Sequence, residues 1–147
     1  MSRESIYPSQ RYTLQELKQC CLGELHPQAI IGIKLFNKGE YFEAHEALEL
    51  AWRDEQEAIR EVYRGILQIG VAYYHILKGN YRGAMKMFER AKKWLAGYPS
   101  PCRGLDLNRL KKDAAAAEKH LLELGHENIN QFDQHLFKPI LFEGNIQ

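Results

Sequence analysis

The strongest constraint in this sequence is a helical segment that is apolar on most of its sides. It lies between Asp54 and Gly79, and its large apolar side chains surround one polar stripe. The apolar residues are Ile66, Leu67, Ile69, Val71, Tyr73, Tyr74 and Ile76. Because such a helix must be covered on most of its surface, we predict that it lies at the centre of the fold.

Further helices are predicted on both sides of this segment. A capping box at Thr13 and Glu16 begins a short helix that ends near Gly23, and Pro27 begins a helix that ends at Gly39. Three more helices are predicted at residues 40–53, 81–96 and 107–124. No other segment alternates as a sheet-forming strand does. The predicted fold class is therefore all-α, an antiparallel bundle of five to six helices.

The sequence also repeats part of itself at an offset of 40 residues. The first copy consists of Lys38, Gly39, Tyr41, Ala44, Glu49 and Ala51. The equivalent residues of the second copy are, in the same order, Lys78, Gly79, Tyr81, Ala84, Glu89 and Ala91. The small residues allow two helices to approach closely, and the large ones fill the groove between them. We therefore predict an internal helical-hairpin pseudo-repeat at the centre of the bundle.

Length and composition indicate one domain. The chain has 147 residues, of which 45% are hydrophobic and 27% charged, as in ordinary globular proteins. We predict a single helical domain over residues 1–147. Residues 1–12 are expected to be a flexible N-terminus, and residues 126–147 an extended C-terminal tail that packs on the bundle.

The cysteines and the hydropathy pattern favour a cytoplasmic protein. Cys20, Cys21 and Cys102 have neither the even count of a disulfide framework nor the spacing of a zinc site, so we expect reduced thiols. The polar N-terminus lacks the apolar core of a signal peptide. No stretch approaches the roughly 20 apolar residues that cross a bilayer, so we expect no membrane contact.

The charge balance gives little support for a nucleic-acid partner. The chain has 20 basic and 19 acidic residues, a formal net charge of +1. Residues 81–112 are nonetheless rich in Lys and Arg, which leaves a phosphate-binding surface as an alternative to a solvated face. No aromatic interleaving or known nucleic-acid motif accompanies them, so we expect no nucleic acid to bind.

One polar constellation stands out from the helical pattern. His45 and Glu49 lie one turn apart on the helix face that also carries Trp52 and other large apolar residues. The polar stripe of the central helix holds Glu61, Arg64, Gln68 and His75. An antiparallel turn near Gln56 would place position 45 opposite about 68, 49 opposite about 64 and 52 opposite about 61. The spacing therefore predicts contacts from His45 to Gln68 and from Glu49 to Arg64.

Two interpretations of this constellation are open. The polar side chains satisfy one another in the core, or they line a site for a small ligand or partner. The candidate ligand-binding residues are His45, Glu49, Trp52, Arg64, Gln68 and His75. We assign no catalytic residue.

A divalent metal is the one cofactor that this constellation suggests. His45 and Glu49 could offer two ligands to a cation, but a catalytic metal usually has three protein ligands, and Gln68 or His75 would have to complete the set. The run from His45 to Glu49 resembles the zincin pattern H-E-x-x-H, with Glu49 in place of the second His. We predict no other cofactor.

These segments together resemble the domain-of-unknown-function family 309. The similar motifs are F-N-x-G-x-Y-F-E-A-H-E-x-L-E-x-x-W-R at 36–53, G-I-L-Q-x-x-x-A-x-Y-H at 65–75 and G-N-x-x-G-A at 79–84. The resemblance extends over about Ala29 to Leu124, with Ile66 and Leu67 in the reverse of the family's usual order. It implies a small all-helical bundle in which the segment around His45 faces the segment around Gln68, and it implies no reaction.

We expect from these residues a non-enzymatic module that holds a small ligand or an unknown protein partner at a partly buried polar pocket. One alternative is a metal-dependent, hydrolase-like enzyme that uses His45 and Glu49. Another is a tetratricopeptide-like interaction module with no pocket chemistry. The aromatic-rich central helix also leaves homodimerisation open.

Overall fold

The computed structural model describes residues 7–143 of the chain, so the predictions for residues 1–6 of the N-terminus and 144–147 of the C-terminal tail lie outside it. The described residues form an all-α fold, as predicted, with isolated backbone bridges in place of any β-sheet. The seven helices are α1 Pro8–Arg11, α2 Leu14–Cys20, α3 Pro27–Asn37, α4 Tyr41–Asp54, α5 Arg60–Leu77, α6 Tyr81–Leu95 and α7 Leu107–Leu124. The sequence did not predict α1, a single turn within the segment expected to be flexible.

Side-chain caps explain where several helices begin. The Thr13 hydroxyl accepts a hydrogen bond from the Glu16 backbone N–H at 3.1 Å, and the Glu16 carboxylate accepts one from the Thr13 N–H at 2.9 Å. Asn80 and Asp106 cap α6 and α7, because their side-chain oxygens accept hydrogen bonds of 2.9 Å from the backbone N–H groups of Gly83 and Arg109. Asp54 precedes the central segment in the sequence but does not cap it. Asp54 is the last residue of α4, and a loop over residues 55–59 precedes α5.

Helix α5 is the centre of the bundle, as its apolar pattern predicts. It packs against α4 on one side and α6 on the other, while α3 covers α4 and α7 covers α6. Tyr63, Ile66, Ile69 and Tyr73 are fully buried along its length. The core of the fold is therefore formed where α4 and α6 pack against the buried side chains of α5.

The pseudo-repeat corresponds to two helical hairpins, α3–α4 and α5–α6. The chain turns at Gly39 and Gly79, whose φ angles of 81° and 73° suit glycine, and the next helix begins at the second residue after each. The equivalent alanines Ala44 and Ala84 are both fully buried, at 1% and 0% exposure. Each hairpin thus buries its equivalent alanine, and the paired helices pack against each other.

The segment after α7 packs on the bundle. It contains two 3₁₀ helices, Ile129–Gln131 and Gln134–Leu136, and is otherwise irregular. The Phe137 ring packs 4.7 Å from that of Tyr73. The Asn37 side-chain amide forms hydrogen bonds with both backbone groups of Ile140, at 3.1 and 2.7 Å. These contacts tie the segment to α3 and α5.

The expectation of reduced thiols is wrong for two of the three cysteines. Cys21 and Cys102 form a disulfide, with their Cα atoms 4.4 Å apart and 81 residues between them in sequence. The spacing gave no sign of this pair because only tertiary packing brings the end of α2 to the loop before α7. Cys20 is free and buried, and burial raises the pKa of its thiol to about 11.

Arg103, next to the disulfide, joins three loops. Its guanidinium donates hydrogen bonds to the backbone oxygens of Cys20 and Glu24, both at 2.7 Å. It also lies 3.8 Å from the Glu55 carboxylate and 3.1 Å from that of Glu57. The loop between α4 and α5 is therefore held by a residue from the loop between α6 and α7.

None of the helices within residues 7–143 combines the length and the apolar character that spanning a membrane requires.

The close contact between α5 and α6 predicts that Gly65→Ala destabilises the protein. A Cβ at Gly65 would lie 2.5 Å from the Leu95 Cγ, and because Leu95 is buried, its displacement would disturb the core around it. We expect a loss of about 1–3 kcal/mol in the free energy of unfolding, measured by urea denaturation. Gly70→Ala is the control in the same helix, because its nearest neighbour would be 3.3 Å away, and it should cost less. A Gly65→Ala variant as stable as the wild type would contradict this packing.

Candidate functional site

An open cleft of about 540 Å³ lies where the end of α4 meets the start of α5. We call it the Trp52 cleft. Its lining consists of Arg11, Tyr12, Trp52, Arg53, Glu55, Gln56, Arg60, Glu61 and Arg64. Four arginines and two glutamates give this lining a formal charge of +2, within a protein whose net charge is only +1.

A buried carboxylate, that of Glu61, lies at the base of this cleft. The residue is only 3% exposed. Its Oε1 accepts a hydrogen bond of 2.8 Å from the Trp52 indole N–H. The guanidinium groups of Arg60 and Arg64 approach the same carboxylate to 3.8 and 3.6 Å. A buried charge requires partners of this kind, so Glu61 fixes the positions of three cleft side chains.

The Trp52 ring has cationic neighbours as well as this acceptor. The guanidinium carbons of Arg60 and Arg64 lie 5.0 and 4.9 Å from the ring centroid, within the range of cation–π attraction. Arg60 Nε also donates to the Trp52 backbone oxygen at 3.2 Å, and Arg64 lies 3.9 Å from the Trp94 ring on α6. These contacts hold arginine side chains in defined positions at the wall of the cleft.

His45 and Glu49 are not among the residues that line the cleft, but Glu49 contacts Arg53, which is one of them. His45 Nε2 lies 3.9 Å from Glu49 Oε2, and Glu49 Oε1 accepts a hydrogen bond of 2.8 Å from Arg53, which lines the cleft. The side chains of His45 and Glu49 are 35% and 32% exposed, so they lie at the edge of the bundle. The predicted pair between Glu49 and Arg64 stays a prediction.

The other two candidates lie away from the cleft lining. Gln68 is 8% exposed, and its Oε1 is buried without a hydrogen-bond partner among residues 7–143. The predicted contact from His45 to Gln68 stays a prediction. His75 lies near the other end of α5, about 20 Å along the helix axis from Glu61. Its Nδ1 is 3.3 Å from the Asn80 amide nitrogen. The structure thus brings Trp52 and Arg64 together in the cleft lining. Glu49 contacts the lining residue Arg53, and His45 lies beside Glu49. His75 lies elsewhere on α5.

A divalent metal at His45 and Glu49 stays a prediction. No group of three or more His, Cys, Asp or Glu residues within 7–143 is arranged to hold a metal ion. The side chains of His45 and Glu49 are close enough to share a cation, but neither Gln68 nor His75 is shown beside them.

Several cleft residues were not selected from the sequence. The antiparallel register already placed position 52 opposite about 61, and the hydrogen bond from Trp52 to Glu61 confirms that part of the arithmetic. Glu61 could have been found from its place on the polar stripe of an otherwise apolar helix. Arg11 and Tyr12 had no such signal, because Arg11 ends the single-turn helix α1, which the sequence did not predict, and Tyr12 lies in the connection from α1 to α2.

Comparison with known proteins supports the resemblance seen in the sequence. Residues 30–87, which span most of α3 to the middle of α6, match the profile of the family described as Domain of unknown function (DUF309). A stretch of 77 residues is 29% identical to a protein of Aquifex aeolicus (strain VF5) described as an uncharacterized protein. That alignment covers 52% of this chain and 23% of the Aquifex protein. The chain therefore spans about a quarter of that relative's length.

The indole hydrogen bond predicts that Trp52→Phe destabilises the fold. Phenylalanine preserves most of the ring but removes the donor that faces the buried Glu61 carboxylate. We expect a loss of about 1–3 kcal/mol, because a buried acceptor loses a hydrogen bond. Urea denaturation of the variant measures it. His45→Gln is the control on the same helix and should change the stability by less than about 0.5 kcal/mol. Equal losses for the two variants would show that this hydrogen bond adds nothing.

Partial burial of His75 predicts a titration below the usual range. Desolvation lowers the pKa of His75 from its ordinary value of 6.5. The unfolded chain therefore takes up this proton at a higher pH than the folded chain, so the folded state loses stability as the pH falls below about 6.5. NMR titration of the His75 ring, assigned with His75→Gln, should give a midpoint below that value. A midpoint at or above 6.5 would contradict the desolvation.

Proposed function

We propose that this protein is a non-enzymatic ligand-binding module that holds a small oxyanion, a phosphate or a carboxylate, in the Trp52 cleft. The carrying observation is that four arginines converge on one cleft around a buried carboxylate and an indole ring. The cleft volume of about 540 Å³ falls in the range of small-molecule sites.

The arginines retain the donors that an anion would need. A guanidinium has five N–H groups, and the described contacts of Arg53 and Arg60 use only part of them. Arg11 also lines the cleft, and its guanidinium carbon lies 5.3 Å from the centroid of the Tyr12 ring. Arginine is suited to this task because its planar fork matches the geometry of phosphate and carboxylate oxygens.

The two glutamates of the lining have cationic partners of their own. Glu61 lies close to Arg60 and Arg64. Glu55 lies close to Arg103, which is not one of the lining residues. Their negative charges therefore position the arginines and the loop, while the lining as a whole keeps a formal charge of +2. This arrangement supports selection of an anion over a cation.

The oxyanion proposal is tested by titration calorimetry with pyrophosphate and with citrate, which present phosphate and carboxylate oxygens. Arg53→Gln and Arg60→Gln should each weaken binding of the preferred probe about tenfold, as expected for the loss of a charge-assisted hydrogen bond. Trp52 fluorescence provides a second readout, with Trp94→Phe used to leave Trp52 as the single tryptophan.

Arg82→Gln is the matched control, because it removes the same charge from an exposed position on α6. It should leave the affinity within twofold of the wild type. The proposal fails if neither probe binds with a Kd below about 1 mM, or if Arg82→Gln weakens binding as much as the cleft variants.

The cytoplasmic location stays a prediction. One of its arguments, the set of reduced thiols, is lost because Cys21 and Cys102 form a disulfide.

A further inference from the structure

A second cavity, of about 250 Å³, lies among α5, α6 and α7. We call it the Lys111 cavity. Its walls are mainly apolar and include Ile69, Phe88, Ala91, Leu95 and Ala114. It shares no lining residue with the Trp52 cleft. Its chemistry is accordingly different, because apolar side chains form most of its surface.

Three charged residues also line the Lys111 cavity, and two of them neutralise each other. Lys92 Nζ lies 3.0 Å from the Glu118 carboxylate. The third, Lys111, is partly buried on α7 and has no ion pair or hydrogen bond within the described residues. One uncompensated ammonium group therefore lies against an apolar cavity.

Burial of this ammonium group without a partner is unfavourable. Desolvation lowers the pKa of Lys111 below its ordinary value, which reflects the free energy of keeping the charged form out of water. A carboxylate beside it would offset that penalty through a charge-assisted hydrogen bond. The cavity next to it can take an apolar group, which gains free energy on leaving water.

We propose that the Lys111 cavity binds a small amphipathic carboxylate, with its hydrocarbon part among α5, α6 and α7 and its carboxylate on the Lys111 ammonium group. The charge complementarity selects an acid over a neutral or basic ligand. The volume exceeds the roughly 150 Å³ of an apolar cavity that admits benzene, so a medium-length alkyl chain is a suitable occupant. This site is independent of the oxyanion site proposed above.

The test uses octanoate as the probe, with octanol and acetate as its two halves. Titration of ¹⁵N-labelled protein should shift the amide signals of Ala91, Leu95 and Ala114, and octanoate should bind at least about tenfold more tightly than octanol or acetate. Lys111→Met keeps the length of the side chain and removes its charge, so it should weaken octanoate binding about tenfold. Its melting temperature without ligand should equal or exceed that of the wild type, because a desolvated charge is removed.

Two control variants separate this site from its neighbours. Lys112→Met removes an exposed charge from the adjacent position of α7 and should leave the octanoate affinity within twofold of the wild type. Arg60→Gln changes the Trp52 cleft, which shares no lining residue with this cavity, so the octanoate affinity read from the Ala91, Leu95 and Ala114 signals should stay within twofold of the wild type. Because the readout is local to the cavity, failure of either proposal is visible without the other. The proposal is overturned if octanoate shifts no signal around the cavity, if octanol binds equally well, or if Lys111→Met binds octanoate as tightly as the wild type.

Discussion

A carboxylate buried inside a protein is stable only when donors and cations surround it, and Glu61 imposes this requirement on the junction of α4 and α5. Its partners are the Trp52 indole and the guanidinium groups of Arg60 and Arg64. Arg64 in turn contacts Trp94, so the same charge connects α4, α5 and α6. The shape of the Trp52 cleft follows from this one buried group, because its partners form much of the wall.

The fold could be predicted largely from local signals. Caps at Thr13, Asn80 and Asp106 mark where helices begin, and the continuous apolar surface of α5 identifies it as the central helix. Information that depends on tertiary proximity was not accessible in the same way. Cys21 and Cys102 lie 81 residues apart, and nothing in their local sequence indicates that the packed helices bring them together.

The candidate site was predictable in part, for a related reason. Counting residues outward from the predicted antiparallel turn placed Trp52 opposite Glu61, and the structure confirms this pair. Both positions lie near the turn, where few residues separate them and the error in register is small. Further from the turn, the same arithmetic paired His45 with Gln68, and that contact stays a prediction; the Gln68 side-chain oxygen has no hydrogen-bond partner within residues 7–143. Arg11 lines the cleft from the last residue of α1, and this helix of four residues is too short for helical spacing to carry information.

The pseudo-repeat also relates the two cavities. Trp52 lines the first cavity, and Lys92, its equivalent 40 positions later, lines the second. In the first hairpin this position carries an aromatic donor for Glu61, and in the second it carries a cation for Glu118. The bridge that Arg103 makes to Glu55 lies partly outside the matched residues 30–87, and so do Arg11 and Tyr12. Most of the length of the paired helices therefore lies within the matched residues, whereas part of the cleft rim lies outside them.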